Sequence, residues 1–444
     1  MNRNCKTICK TPSRADVNSL TLYAKSNGWG RNGHPPCVPA GAAFGQQGCF
    51  RVPPPAYCGM ALDFRPLAIA TAGFTAFVNL YSPQALLPEL SHDFGVSAGD
   101  ISAMITAPTA AIALTAPFTG ALADVLGRQR LITVAAFAIV VPTLVMAFAS
   151  TVPQLVVLRF VLGLLLPPIF TVAVAYVGDE WPPADVARIT GLFVSGSSIG
   201  GFCGRFATGV VADLIGWRAS FASVALMTLA GAIIVTVALP PERNFVRSGG
   251  FAASAKQMIA HLGNPRLLAI YAIGFGVLFN FIAIFTYVSF HLAGPPYYFS
   301  PTLLGALFAT YLAGSFSVPW VGRAVMLFGR RRFVLGIIGL WIAGGLLLLA
   351  PPAAAIIVGL TICAACGMLC QAISTGYVIT TAKEGRSSAA GLYASSFYIG
   401  GSAGSFLVGL VWQAYGWTGC VVTIIAVQLA MAAIVATAWD RSRI

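Results

Sequence analysis

Two arginines lie inside long apolar stretches and are the first candidates for chemistry. Arg159 and Arg205 each interrupt a run of apolar residues long enough to cross a membrane. A charge inside a membrane is expensive, so each arginine is a candidate functional residue, and together they could attract an anionic substrate. Two structural alternatives stay open: Arg159 could snorkel to the nearby outer interface, and Arg205 could pair with Asp213.

The acidic residues are arranged differently. All 13 fall at the ends of the apolar stretches or in the breaks between them. Proton coupling needs a titratable group that faces each side of the membrane in turn, usually a carboxylate. If protons are moved, we expect Glu89 or Asp213 near the outer edge, Asp124 near the inner edge, or Arg159 and Arg205 to take part.

No arrangement typical of an enzyme accompanies these residues. The sequence has no paired nucleophile and base, no Walker loop and no dinucleotide fingerprint. Cys363, Cys366 and Cys370 share a helix face, but three small side chains on a membrane helix indicate packing rather than a metal or redox site. We therefore predict no enzymatic activity, no cofactor and no metal ion, and ATP-driven transport is not supported.

The elements that must position these residues are membrane helices. The chain is 57% hydrophobic and only 9% charged, which is too little charge for a soluble surface of this size. A spanning helix needs about 20 mostly apolar residues, whereas barrel strands alternate apolar and polar residues. The sequence predicts an all-α membrane protein with 12 transmembrane helices, at 66–90, 101–122, 131–149, 153–177, 188–215, 219–239, 267–291, 302–322, 333–350, 354–379, 387–414 and 417–438.

The basic residues predict how these helices are oriented. With the N-terminus inside, 16 of the 26 Lys and Arg fall in cytoplasmic segments, and only Arg218 falls in an external one. Positive loops tend to stay in the cytoplasm, so both termini are predicted to be cytoplasmic. The net charge of +13 then reflects topology and contact with anionic membrane lipid, and nucleic acid is not expected as a partner.

Residues 1–59 differ in character from the rest. They contain five Cys and a Pro-rich run, but no apolar run long enough for a signal peptide and no zinc-binding Cys spacing. We expect this leader either to be disordered or to be a mis-assigned start, with translation beginning at Met60.

The strongest pattern is an internal repeat with an offset of 200 residues. Residues 191–204 resemble residues 391–404, and the same offset pairs Gly216-Trp217 with Gly416-Trp417. Repeats of this length indicate a duplicated structural unit. The repeat predicts two pseudo-symmetric six-helix halves and a cytoplasmic linker between them, at 60–240, 266–444 and 241–265.

Glycines recur every four residues in both copies of the repeat, at 196, 200 and 204 and at 400 and 404. This spacing places them on one helix face, where a neighbouring backbone can approach closely. Plain helix packing explains it. We also expect such contacts between the halves, where they would suit rocking about a central site.

A second repeated segment follows spans two and eight. Its first copy runs from Gly120 through Asp124, Gly127 and Arg128 to Arg130. Gly127 allows a tight turn, the arginines anchor to the cytoplasmic interface, and Asp124 can face a helix N-terminus or an arginine. In this segment the chain resembles the major facilitator superfamily, whose loop motif is G-x-L-A-D-x-x-G-R-x-R.

The resemblance implies that this motif is a latch between the halves in the outward-open state. The second copy keeps Gly322, Gly329 and Arg330 but has Met326 where Asp124 would fall, which leaves a second latch in question. The predicted latch residues are Gly120, Asp124, Gly127, Arg128, Arg130, Gly322, Gly329 and Arg330.

Further segments are similar to a subgroup of the superfamily. The pattern L-x-x-x-R-x-x-x-G around Arg159 resembles the span-four pattern of its drug/proton antiporters, with Leu162 where Gln is usual. The span-five antiporter signature is incomplete, because Ser197-Ser198 replaces Gly-Pro. Residues 81–88 and span five resemble bacterial inner-membrane arabinose or drug efflux permeases.

The resemblance also implies a central cavity lined by spans one, four, seven and ten. Asn79 and Asn280 are 201 residues apart and so occupy near-equivalent positions in the two halves. The alternative is that each amide bonds to a neighbouring helix. The predicted substrate-binding residues are Asn79, Tyr81, Arg159, Asn280, Tyr287 and Gln371.

These features predict a monomeric secondary transporter that exports a small amphipathic or anionic molecule, such as a drug, sugar or metabolite, across the bacterial inner membrane, driven by protons. One alternative is an uptake symporter or facilitator on the same fold, because fold alone does not fix direction. Another is a membrane sensor that binds a ligand without transporting it.

Overall fold

The computed structural model describes residues 64–242, 251–382 and 384–439, and every regular element in these ranges is a helix. The predicted leader, 1–59, lies outside the described residues. The helices before the linker are α1 Arg65–Leu80, α2 Leu87–Phe94, α3 Ala98–Ile101, α4 Ala103–Leu126, α5 Arg128–Ala138, α6 Val140–Met146, α7 Val152–Leu165, α8 Pro167–Glu180, α9 Pro183–Ile215 and α10 Trp217–Ala238.

The second part of the chain begins with a linker helix, which packs against the start of the last helix through a 3.1 Å hydrogen bond from Ser388 Oγ to Gln257 Oε1. The remaining helices are α11 Phe251–Leu262, α12 Pro265–Ala293, α13 Pro301–Leu307, α14 Thr310–Ser317, α15 Val321–Phe328, α16 Arg330–Leu347, α17 Ala353–Thr381 and α18 Arg386–Ala438.

Nine helical segments in the described part of the chain are long and apolar enough to cross a membrane. The chain is therefore a multi-pass, all-helical membrane protein, as predicted. The first predicted span is divided into α1 and α2 by a 3₁₀ turn at Ser82–Ala85. The last two predicted spans both lie in α18, where the non-helical dihedral angles of Gly416 make a kink between two helices.

Glycines with positive φ confirm the repeat in the backbone. Gly216, between α9 and α10, has φ +100°, and Gly416 has φ +60°. In the second repeated segment, Gly127 has φ +86° and Gly329 has φ +76°. L side chains rarely adopt these angles, so each copy of the repeat turns at a residue that glycine suits best.

The regularly spaced glycines pack within each half. A Cβ added at Gly204 of α9 would lie 2.6 Å from the Val78 carbonyl oxygen on α1. A Cβ added at Gly404 of α18 would lie 2.9 Å from Phe279 Cα on α12. The expectation that these glycine faces join the two halves is wrong, because the face of each copy is already covered by the first helix of its own half.

Other glycines bring the two halves to close backbone contact at one end of the bundle. A Cβ added at Gly305 of α13 would lie 2.6 Å from the Arg205 carbonyl oxygen on α9. A Cβ added at Gly409 of α18 would lie 3.0 Å from Gly99 Cα on α3. Two helix pairs therefore cross at backbone contact. We call this end of the bundle the closed end.

Candidate functional site

Arg205 is 1% exposed and lies where α9 crosses the C-terminal half. Its guanidinium carbon is 4.8 Å from the ring centre of Tyr81, 4.4 Å from that of Phe308 and 4.9 Å from that of Tyr311. A cation over an aromatic face is attracted by the negative charge of the ring face. The three rings come from α13, α14 and the end of α1, so they hold the cation between the two halves.

The polar contacts of Arg205 are incomplete. Its Nε donates to Gln84 Oε1 at 2.8 Å, and its Nη1 donates to the Gly201 carbonyl at 2.6 Å. Gln84 Nε2 in turn donates to Thr286 Oγ1 on α12 at 3.1 Å, which bridges the halves. Within the described residues, Nη2 of Arg205 and the hydroxyl of Tyr311 have no hydrogen-bond partner. We call Arg205, Tyr81, Gln84, Phe308 and Tyr311 the Arg205 cage.

A row of aromatic side chains continues from the cage. Phe77 lies 6.4 Å from Tyr81 and 6.4 Å from Phe170 between ring centres, and Phe170 lies 5.9 Å from Tyr398. Phe77 and Phe170 are half-buried, whereas Tyr81 and Tyr398 are buried. The row joins α1, α8 and α18 and forms an apolar, polarisable surface beside a buried cation.

Arg159 on α7 is also fully buried, but each of its nitrogens has a partner. Nε donates to the Met104 carbonyl at 2.9 Å, Nη1 donates to the Asn79 carbonyl at 2.7 Å, and Nη2 donates to the Leu80 carbonyl. Two of these carbonyls, those of Met104 and Asn79, lack the usual amide donor of a helix because the residues four positions on, Pro108 and Pro83, have no N–H. Arg159 therefore joins three helices, and each of its nitrogens donates to a protein carbonyl.

The Asn79 side chain is saturated by its neighbours. Its Nδ2 donates to the Thr75 carbonyl at 2.9 Å and to Thr228 Oγ1 at 2.7 Å, while its Oδ1 accepts from Thr143 Oγ1 at 2.8 Å. These partners lie on α1, α10 and α6, all in the N-terminal half. The matched Asn280 also bonds locally, with Nδ2 donating to the Gly276 carbonyl at 2.6 Å. The Asn79 amide therefore bonds to neighbouring helices, as the structural alternative in the sequence analysis predicts.

The other predicted substrate-binding residues are separated. Tyr287 donates to the Ser405 carbonyl at 2.5 Å and stacks 5.9 Å from Trp412, which places it at the closed end. Gln371 is half-buried on α17, where its carbonyl accepts from Thr375 Oγ1. Of the predicted set, the structure brings Tyr81 into the Arg205 cage and connects Arg159 to Asn79.

Two carboxylates share a cavity of about 450 Å³ at the closed end. Glu89 and Asp213 both line it, together with Pro301 and residues of α2, α9, α12 and α13. Glu89 Oε2 is buried and has no hydrogen-bond partner among the described residues. Asp213 Oδ2 accepts from the Thr302 amide at 2.9 Å, at the N-terminus of α13. Asp213 therefore binds a helix of the other half, which replaces the expected pairing with Arg205.

The loop motif lies at the opposite end of the bundle from the closed end. Arg128 pairs with Asp179 and donates to the Ala175 carbonyl at 2.7 Å, both on α8. The Gln129 amide donates to Glu242 Oε2 at 2.9 Å, so a carboxylate lies at the N-terminus of α5. These contacts join the motif to α8 of the N-terminal half and, through Glu242, to the beginning of the linker.

Other predicted latch residues complete the description of this end. In the second copy, the guanidinium carbon of Arg330 lies 4.0 Å from the ring centre of Tyr377 on α17. Arg130 is exposed, and a Cβ added at Gly120 or Gly322 would meet no heavy atom of the described residues within 4 Å. The side chain of Asp124 is not described. The latch stays a prediction.

Sequence reasoning missed part of the Arg205 cage. Phe308, Tyr311 and Thr286 lie on spans seven and eight, and nothing in their spacing links them to span five. Gln84 lies in the stretch 81–88 that carries the resemblance to the efflux permeases, and its position one turn beyond Tyr81 was the available signal.

The chain is similar to known membrane transport proteins. Residues 69–309 match the family described as Major Facilitator Superfamily. The inner membrane transport protein YnfM of Escherichia coli (strain K12) is 30% identical over 379 residues, which cover 84% of this chain and 90% of YnfM. The uncharacterized MFS-type transporter YybF of Bacillus subtilis (strain 168) is 29% identical over 361 residues, covering 81% of this chain and 89% of YybF.

A solved structure shares the fold. The crystal structure of a bacterial homologue of the human lysosomal transporter Spinster, in an inward-facing and occupied conformation, superposes with a TM-score of 0.68. The match covers 85% of this chain and 98% of that one at 14% sequence identity.

Proposed function

Because the chain belongs to the major facilitator superfamily and is a membrane transporter, not an enzyme, we propose that it exports a small amphipathic or anionic molecule by alternating access, driven by protons. In this proposal it acts as a monomer in the bacterial inner membrane. The observation that carries the proposal is the closed end, where two helix pairs from different halves cross at backbone contact.

The proposal has twelve spans, and the described helices are consistent with that number. Nine segments qualify by length and composition among the described residues. The first span is not among the nine because the turn at Ser82–Ala85 divides it into two shorter helices. α16 is not among them because it begins with three arginines. Residues 386–438 count once although Gly416 separates two spans. An even number of spans returns the chain to its starting side.

The orientation follows from the basic residues. The arginines of both loop-motif copies lie at the end opposite the closed end, and the positive-inside rule assigns that end to the cytoplasm. The closed end then faces outward. The structure would represent an inward-facing state, and export would require α9 to separate from α13, and α3 from α18.

Polar contacts at the closed end favour rocking of whole halves. Asp213 accepts from the amide of Thr302, and Gln413 Nε2 donates to Ser97 Oγ at 2.6 Å. Asp213 and Gln413 are separated by the repeat offset of 200 residues, so equivalent positions hold both crossings. Contacts that are made in one state and broken in the other are what alternating access needs.

Glu89 and Asp213 are the proposed proton carriers. Both carboxylates line one cavity that would open outward when the crossings separate. Glu89 Oε2 is buried there without a hydrogen-bond partner among the described residues, and such surroundings favour the neutral form of a carboxyl group. Protonation of Asp213 would also weaken its bond to the Thr302 amide, so proton entry would favour opening.

Everted membrane vesicles with a proton-sensing dye test the proposal. The vesicles are energised to acidify their interior, and a panel of organic anions, sugars and amphipathic drugs is added. Exchange of protons for one class of compound should restore dye fluorescence. The variants Glu89→Gln and Asp213→Asn should lose this recovery, and Asp185→Asn, on the cytoplasmic surface, should keep it.

Two results would contradict the proposal. Silence of the dye across the panel, combined with accumulation of a labelled compound in intact cells, would favour an uptake carrier. Saturable binding of a compound without movement in either direction would favour a sensor. Full recovery in both carboxylate variants would leave export intact but remove these residues from coupling.

A further inference from the structure

We propose that Arg205 binds the anionic group of the transported molecule, and that this molecule is a small organic anion, a carboxylate with an aromatic body. The inference rests on the transport function proposed above and narrows its substrate class. It assigns the anion to the Arg205 cage and the body of the molecule to the adjacent aromatic row.

Among the residues that the structure describes, the charge of Arg205 has no counter-ion. None of the ion pairs among the described residues includes it, although the side chain is 1% exposed. Cation–π contacts and two hydrogen bonds to neutral oxygens compensate only part of the cost of burying a guanidinium. The remaining N–H groups of Nη2 have no protein acceptor. An anion is the partner that this arrangement lacks.

The free donors of the cage suit a carboxylate. Guanidinium N–H groups form their strongest hydrogen bonds with carboxylate or phosphate oxygens. Tyr311 adds a buried hydroxyl without a partner, on a ring whose centre lies 4.9 Å from the guanidinium carbon. One carboxylate can accept from Nη2 of Arg205 through one oxygen and from the Tyr311 hydroxyl through the other.

The surroundings select an apolar and aromatic body. Tyr81 belongs to the cage and leads through Phe77 and Phe170 to Tyr398, with successive ring centres 5.9 to 6.4 Å apart. Rings at these separations interact favourably edge-to-face or offset, and a planar ligand could extend the row. A hydrated inorganic anion or a sugar would gain little from it.

Arg159 shows that burial alone does not make a site. It is as deeply buried as Arg205 and also lies within the membrane region. Its three nitrogens, however, all donate to backbone carbonyls. Of these two arginines, Arg205 is the one that has unused donors among the described residues and that lies at a contact between the halves.

The position of the cage connects binding to movement. Phe308 and Tyr311 belong to the C-terminal half, whereas Arg205 and Tyr81 belong to the N-terminal half. An anion held there contacts both halves, and its affinity therefore depends on how closely they approach. A ligand shifts a conformational equilibrium only through such a difference in affinity.

Thermal unfolding of the purified full-length protein in lipid nanodiscs tests the inference. The probes are benzoate, phenylacetate and salicylate at millimolar concentration, each compared with its uncharged amide. At least one carboxylate should raise the unfolding temperature by about 2 °C or more, and its amide should not. Membrane partitioning of the probe is controlled by the same comparison in the variants.

The variants separate charge from packing. Arg205→Gln should weaken binding of the carboxylate by about tenfold to a hundredfold, so that the carboxylate no longer stabilises the protein more than its amide does. Tyr311→Phe keeps the ring and should weaken binding of the carboxylate by about tenfold, with little effect on binding of the amide. Tyr415→Phe, at an exposed tyrosine, should bind as the unmodified protein does.

Three outcomes would overturn the inference: equal stabilisation by acid and amide, no stabilisation by any of the carboxylates, or an undiminished preference for the acid in both Arg205→Gln and Tyr311→Phe. The vesicle assay distinguishes this failure from that of the transport proposal. Transport of neutral compounds alone would refute the anion site and leave export standing. Selective carboxylate binding without any transport would refute export and leave the anion site standing.

Discussion

Gly305→Ala should open the closed end of the bundle. The added methyl group would lie 2.6 Å from the Arg205 carbonyl oxygen and 2.9 Å from Phe206 Cα. Both neighbours are backbone atoms of α9, so no side-chain rotation can relieve the clash. The methyl group fits only if α13 moves away from α9.

The size of the effect follows from these distances. Ordinary contacts begin near 3.4 Å, so the crossing must widen by roughly 0.8 Å at this point. Inserting a methylene-sized group into a packed site costs about 1–3 kcal/mol. The cost applies only to the state in which the helices touch, so the population of that state should fall by about 5- to 150-fold relative to the open state.

Cross-linking at the other crossing measures the change. Ser97 Oγ and Gln413 Nε2 lie 2.6 Å apart, so cysteines at these two positions should react readily with a short thiol cross-linker. Mass spectrometry of the peptide that joins residues 97 and 413 distinguishes this product from links to other cysteines. The yield in Gly305→Ala should fall by about tenfold or more if the halves move as rigid bodies.

The control substitution is Gly336→Ala. This glycine is exposed on α16, and an added Cβ would meet no heavy atom of the described residues within 4 Å. Its cross-linking yield should match that of the unmodified crossing. An unchanged yield in Gly305→Ala would refute the reasoning, because it would mean that α13 bends locally and the halves do not move together.

Three further predictions concern residues inside the bundle. Arg159→Met removes three hydrogen bonds to backbone carbonyls and should lower the free energy of unfolding by about 3–5 kcal/mol in chemical denaturation, whereas the exposed Arg332→Gln should change it by less than about 0.5 kcal/mol; equal effects would contradict the role in joining helices. Asn79→Leu should cost about 2 kcal/mol and Asn280→Leu less than about 1 kcal/mol, because Asn280 Oδ1 already lacks a partner among the described residues; the reverse order would contradict this. Asp124→Asn should slow transport by about tenfold with nearly unchanged ligand affinity, and a pure loss of affinity would count against the latch.

The sequence predicted the helices and their repeat well, because both depend on local features. Continuous apolar segments must be helical in a membrane, since each backbone polar group has to be satisfied within its own segment. Gly216 and Gly416 were paired by their offset, and both take positive φ angles. Breaks such as that at Ser82–Ala85 leave hydropathy unchanged and were not predicted.

The site was harder to predict, because partners far apart in sequence decide what each polar residue does. Arg159 and Arg205 look alike in sequence, each a single cation in an apolar span. Arg159 has a partner for each nitrogen partly because Pro83 and Pro108 have no N–H, so that the carbonyls of Asn79 and Met104 can accept from it. Asn79 was assigned to a cavity because of its span, but its direction is set by Thr143 and Thr228, whose hydroxyls bond to it.

The two crossings at the closed end share a backbone geometry but differ in charge. The repeat offset pairs Gly209 with Gly409 and Arg205 with Ser405. Where α9 carries a caged guanidinium, α18 carries a hydroxyl that donates to the Ser102 carbonyl at 2.9 Å. The duplicated unit therefore makes two similar contacts between the halves, and one of these contacts contains the buried charge of Arg205.

This difference decides where a ligand or a proton can act on the cycle. The crossing of α3 and α18 has no buried charge among the described residues, and it holds Gln413 against Ser97, whose Oγ donates to the exposed Asp100 carboxylate at 2.6 Å. Closing the charged crossing brings Arg205 against the rings of the other half and Asp213 against the Thr302 amide, and both energies change when an anion or a proton binds. If the halves move as units, the Arg205 crossing would set the equilibrium for both, and the crossing at Gln413 would follow it.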